Sequence, residues 1–210
     1  MQESDVMTAT RHALMSRGYR PFHPTDGILC PKCHSRIVPP SKGRPDLLIL
    51  HPSGGSAVCE VKDVNHAKRE NALYFSEIKP EQREWLDSWD SSASSGLGAF
   101  LSIGLILPAV SRTILASVWV IPWQEWLVIE GNWKAYKTAG VGIMPEMYRR
   151  PPKVPRELYL DTYPGLERFK IFRKEEADGR PGWQFKDEHP LAFGHKVQPR
   201  FKKKEKENAA

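Results

Sequence analysis

Two short aliphatic runs stand close together in GRPDLLILHPSGGSAVCEVKD, residues 43–63, and this pair constrains the fold more than any other stretch of the chain. The PSGG segment between them supplies the backbone freedom of a hairpin loop, so Pro45–His51 and Ala57–Lys62 are expected to pair as adjacent antiparallel strands. Alternate side chains of a strand share a face, which puts Glu60 and Lys62 on one side and Cys59 and Val61 on the other, in packing. Antiparallel pairing brings Asp46, at the head of the first strand, near the end of the second. Asp46, Glu60 and Lys62 then converge.

Two carboxylates at one point repel, and one is driven to hold a proton unless a hard divalent cation removes the conflict. Mg²⁺, or Mn²⁺ in its place, suits such a pair: it keeps several waters, lowers the pKa of one and neutralises charge on a phosphate oxygen, while a lysine orients the water or steadies developing charge. The ordinary alternative is Asp46 capping a turn and a Glu-x-Lys ion pair on a solvated strand face.

Around this hairpin the chain reads as α-β-β-α-β-β-α. SDVMTATRHALMSRGY has a capping start and apolar positions at helical spacing, predicting a helix over 4–17 that Gly18 stops. Residues 19–43 are rich in Pro, Gly, Cys and His and suit an irregular loop with a short strand. KPEQREWLDSWDSS carries Gln82, Trp85, Leu86 and Trp89 at i, i+3, i+4 and i+7, an amphipathic helix with its apolar face inward. GAFLSIGLIL reads as a buried central strand, and SVWVIPWQEWLVI as another strand turning into a short helix. Residues 1–140 form the expected domain. From 141 to 210 the apolar pattern thins and Pro and Lys become frequent, predicting an irregular extension that touches the core in places and is disordered at its end.

The run Pro45-Asp46, followed fourteen residues on by Glu60-Val61-Lys62, resembles the motif of the PD-(D/E)xK nuclease superfamily. The resemblance covers roughly residues 1–125 and implies a restriction-endonuclease-like α/β fold, a mixed sheet flanked by helices. IKPEQREWLDSW further resembles the segment after the Glu-x-Lys strand in Holliday-junction resolvases and VRR-type nucleases, where a glutamine near the helix start faces the metal site. By resemblance, Asp46 and Glu60 hold Mg²⁺ with the Val61 backbone carbonyl, Lys62 is the catalytic amine, and Gln82 supports the water or substrate. Glu3 is the nearest match to the acid that an N-terminal helix contributes in those families.

Cys30-Pro-Lys-Cys33-His34 matches the c-type haem attachment pattern, which belongs outside the cytosol, and also one half of a zinc ribbon. With His23 and His34 as further ligands it forms a candidate structural zinc site; two reduced thiols in a loop are the alternative. Cys59 is expected to face the core. Trp119, Trp123, Trp126 and Trp133 are candidates for base stacking, but their spacing fits core packing better. Lys68 and Arg69, with Arg149, Arg150, Lys153 and Arg156, are candidate phosphate contacts, or solvated loop charges.

A formal charge of +6 and a pI near 9.2 favour an anionic partner such as DNA, although part of the excess sits in the tail RFKKKEKENAA. The longest uncharged stretch, Ser91 to Ser111, is broken by Ser, Gly and Pro, and MQESDVMTATRH lacks the basic flank and apolar region of a signal peptide. No membrane span and a cytoplasmic location are expected. The functional expectation is a Mg²⁺-dependent DNA endonuclease selective for Holliday junctions or branched DNA in recombination or repair, acting as a homodimer. Its alternatives are a non-catalytic nucleic-acid-binding module on a nuclease-like scaffold, or a restriction-type or DNA-end-processing nuclease.

Overall fold

A computed structural model of the chain describes residues 3–23, 44–51, 54–65, 72–91, 97–108, 113–139, 157–160, 163, 165–175 and 181–193. Helix α1 spans Glu3–Ser16 and ends in a left-handed cap: Gly18 has φ 84°, and the Tyr19 N–H donates back to the Leu14 carbonyl at 3.1 Å. A three-residue strand β1 (Arg20–Phe22) follows. Strands β2 (Leu47–Leu50) and β3 (Ser56–Asn65) then pair antiparallel with Leu47 opposite Cys59 and Leu50 opposite Ser56, the expected hairpin. Its loop uses Gly54 and Gly55 at φ 95° and 90°, a backbone that L side chains rarely adopt.

Strand β4 (Ala72–Tyr74) and a 3-10 turn (Phe75–Glu77) lead into helix α2 (Pro80–Ser91). This helix is the crossover that lets β5 (Gly98–Pro108) lie parallel to β3, since a parallel pair cannot be joined by a tight turn. Strand β6 (Thr113–Pro122) returns antiparallel to β5 and runs directly into helix α3 (Trp123–Ala139), which is longer than the short helix expected. Later in the chain come β7 (Glu157–Tyr159), β8 (Lys170–Glu175) and β9 (Pro181–Phe185), with 3-10 turns at Leu166–Phe169 and Pro190–Phe193. Among the described residues the main sheet has seven strands in the order β1-β2-β3-β5-β6-β8-β9, mixed through its single parallel pair, and β4 pairs with β7 in a separate two-stranded sheet.

The expected irregular C-terminal extension is therefore corrected for the described residues. Strand β8 pairs with β6 through Val118↔Ile171, and β8 with β9 forms an antiparallel hairpin that ends the same sheet. An edge hairpin needs little apolar surface: Ile171 and Phe185 are buried, whereas Phe172, Arg173 and Lys174 are exposed, so the segment reads as polar in sequence.

Both faces of the sheet are apolar, which is why helices cover both. On one face Val58, Val64, Leu101, Ile103, Trp119 and Ile121 pack with Leu86 of α2 and with Trp123, Trp126 and Ile129 of α3. On the other, Cys59, Val61, Phe100, Val118 and Val120 pack with Val6, Ala9, Ala13 and Leu14 of α1. Alternation along β3 thus places Glu60 and Lys62 on the α2 side. Helix α1 sits close to β5 because Gly104 has no side chain; a Cβ there would lie 2.2 Å from Val6 Cγ2. Beside it Thr10 donates to the Val6 carbonyl at 2.8 Å, leaving the Ser102 hydroxyl to donate to Thr10 Oγ1 at 2.6 Å in an otherwise apolar layer.

Trp119, Trp123 and Trp126 are buried, so the packing reading holds for them, while the Trp133 side chain lies outside the described residues. Trp85 departs from the inward face expected of α2: Leu86 is buried and Trp89 half-buried, but Trp85 is 37% exposed. Among the described residues no helix is long and apolar enough to cross a membrane.

Candidate functional site: a buried glutamate at the head of the β2–β3 hairpin

Backbone pairing of β2 with β3 stops at Leu47↔Cys59, because Asp46 and Pro45 precede the strand. The Val61 N–H lies beyond that last pair and finds its acceptor in a side chain, the Asp46 carboxylate, at 2.7 Å from Oδ2. This bond fixes Asp46 against β3.

Glu60, in the middle of β3, is only 1% exposed. Its Oε1 accepts hydrogen bonds from the Lys62 ammonium, two residues on along the same face, and from the Gln82 amide on α2. Gln82 is itself held, its Oε1 accepting the Lys79 N–H at 3.0 Å just before the helix begins. The other oxygen of Glu60, Oε2, is buried with no hydrogen-bond donor, and the Asp46 carboxyl is its neighbour, hydrogen-bonding to Glu60 once the latter is protonated. Burial, then the charge of Asp46, pushes the Glu60 carboxyl up to about 8 against the opposing pull of Lys62. In the absence of a cation the group holds its proton at neutral pH.

A second network sets the position of α2. Arg83, adjacent to Gln82, pairs with the mostly buried Glu130 of α3 at 2.7 Å and donates to the carbonyls of Phe75 at 3.1 Å and Ile78 at 3.3 Å. Trp123 Nε1 donates to Asp87 at 2.6 Å lower on the same helix. Together these fix the turn that carries Gln82 over β3. Sequence reasoning missed Arg83 and Glu130, since they lie 47 residues apart and share no motif.

Asp46, Glu60, Lys62 and Gln82 thus come together on one face of the sheet. Glu3 opens α1, which packs on the opposite face, and its side chain lies outside the described residues. Cys30, Cys33 and His34 also lie outside them, as do Lys68, Arg69, Arg149, Arg150, Lys153 and Arg156; His23 is described, half-buried just after β1. Cys59 is fully buried on the α1 side, and burial pushes its thiol well up, as befits a core residue.

Among the described residues no group of three or more His, Cys, Asp and Glu side chains is placed to hold a metal ion. The two carboxylates that are present nonetheless fit Mg²⁺, which uses one or two carboxylates and retains waters. When ionised, the buried Oε2 of Glu60 lacks the partner that a cation would be, and a carboxyl kept neutral by burial and by the charge and hydrogen bond of a neighbouring acid is ionised readily by a divalent charge. Comparison with protein-family models, with curated proteins and with solved structures gives no match.

Proposed function

We propose that this chain is a divalent-cation-dependent nuclease that hydrolyses phosphodiester bonds in DNA. The observation that carries the reading is the state of Glu60: buried, with one oxygen clamped by Lys62 and Gln82 and the other, given no donor by the protein, set against the Asp46 carboxyl. A purely structural ion pair would need neither the second acid nor an orphaned oxygen.

In this reading Asp46, Glu60 Oε2 and the Val61 carbonyl hold the ion. When bound, Mg²⁺ supplies a water of lowered pKa and neutralises charge on a phosphate oxygen. The clamp on Oε1 turns the carboxylate so that Oε2 is the atom left to ligate. Lys62 keeps an ammonium at the same point, where it orients the attacking water or stabilises negative charge as it grows on the phosphorus oxygens. Gln82, locked through Lys79, prevents Glu60 from rotating away. The net charge of +6 favours a polyanionic substrate. A structure-selective endonuclease acting on junction or branched DNA as a homodimer follows from the resolvase-like helix that carries Gln82.

A cleavage panel of four-way junction, flap, nicked, single-stranded and blunt duplex DNA tests the proposal. Cutting is expected with Mg²⁺ or Mn²⁺, strongest on branched substrates, and absent with excess EDTA. Binding of every substrate without cutting of any would instead favour the non-catalytic scaffold.

A further inference from the structure

Resting on that reading of the site, we propose that Arg44 is a phosphate-binding residue, gripping the backbone of the nucleic-acid substrate next to the reacting group. Its Nε and Nη1 are both buried, and neither has a hydrogen-bond partner. A guanidinium stays charged at any working pH, and buried donors of a cation left unpaired carry their full desolvation cost. An oxyanion is the ligand that removes it, and phosphate is the anion that arginine takes in nucleic-acid recognition.

The placement agrees. Burial alternates without a break from Arg44 to Ile49: residues 44, 46 and 48 are half-buried, and 45, 47 and 49 are fully buried. Arg44 therefore lies on the same side of the chain as Asp46, the side that carries Glu60 and Lys62. It precedes Asp46 by two residues in the chain.

The test uses the full chain and fluorescein-labelled duplex in EDTA, so that binding is read without cutting. Arg44→Gln is expected to weaken binding about tenfold and to lower the slope of log Kd against log salt by about one, the signature of a lost phosphate contact. Arg44→Lys, which retains the charge, should recover part of the affinity and keep the slope. In parallel, inorganic phosphate should raise the Tm of the wild type above that in chloride of equal ionic strength, and this rise should vanish in Arg44→Gln. Should no DNA be cut while both effects of Arg44 persist, the nuclease reading fails and the anion site stands. An unchanged Kd and salt slope in a folded Arg44→Gln would overturn the proposal. If that variant does not fold, a wild-type Tm indifferent to phosphate would overturn it.

Discussion

Lys62→Ala is expected to reduce metal-dependent DNA cleavage by roughly 10²–10³-fold, the loss typical when one preorganised stabiliser of transition-state charge is removed. The fold should survive. Removing an ion partner from a buried carboxylate is ordinarily severe, because an uncompensated charge is left behind. Glu60 escapes that penalty since its carboxyl, pushed up to about 8, simply keeps its proton at neutral pH, and Gln82 still holds Oε1. Asp46→Ala should abolish cutting as completely while also freeing the Val61 N–H, a loss of about 1 kcal/mol in stability. Single-turnover rates on the best substrate of the cleavage panel, with far-ultraviolet circular dichroism for the fold, are the measurement. Wild-type rates in Lys62→Ala would remove this residue from the chemistry.

The second large effect lies outside the site, at His189. This side chain is fully buried just before the 3-10 turn Pro190–Phe193, with Nδ1 accepting the Leu191 N–H at 3.0 Å and Nε2 therefore donating to the Val120 carbonyl at 2.7 Å. Its ring packs on Phe185 at a centroid distance of 4.4 Å. Burial lowers its pKa from 6.5 to about 4, outweighing the pull of the Val120 carbonyl. The unfolded chain takes up a proton below pH 6.5 that the native state refuses until about pH 4. Stability from this group is accordingly complete above the higher value and is lost as pH falls through that window, by roughly 3 kcal/mol in all. Glu60 acts in the opposite sense, its contribution falling as pH rises toward 8. Urea unfolding at pH 7 and pH 4.5, comparing wild type with His189→Gln, separates the two. The variant should be weaker at pH 7 and show a much smaller loss on acidification; an equal loss in both proteins would mean that other groups govern the acid response.

Much of the site was legible in the sequence because the features involved are local. Period-two alternation put Glu60 and Lys62 together, a Gly-rich loop set the hairpin, and the i, i+3, i+4 pattern placed Gln82 on a helix flanking it. What escaped was non-local or sparsely apolar. Parallel pairing of β3 with β5 depends on a crossover whose path no strand encodes. The β8–β9 hairpin shows the core mainly Ile171 and Phe185, too few apolar residues to stand out among prolines and lysines. Trp85 satisfies helical spacing yet remains partly exposed, since spacing defines a stripe and not how far the neighbouring strand extends beneath it. Arg83 and Glu130 meet only through tertiary packing of α2 on α3. The unpaired donors of Arg44 become visible only once burial is known.

The central claim is that Asp46 and Glu60 share one hard cation, and calorimetric titration of the metal-free protein with Mn²⁺ at pH 7 tests it most directly. Wild type should bind at one site with release of about one proton, detected as a dependence of the heat on buffer ionisation, because Glu60 must ionise to ligate. Asp46→Ala and Glu60→Gln should each lose that binding. Mn²⁺ affinity unchanged in both variants, or no binding by the wild type, would contradict the account.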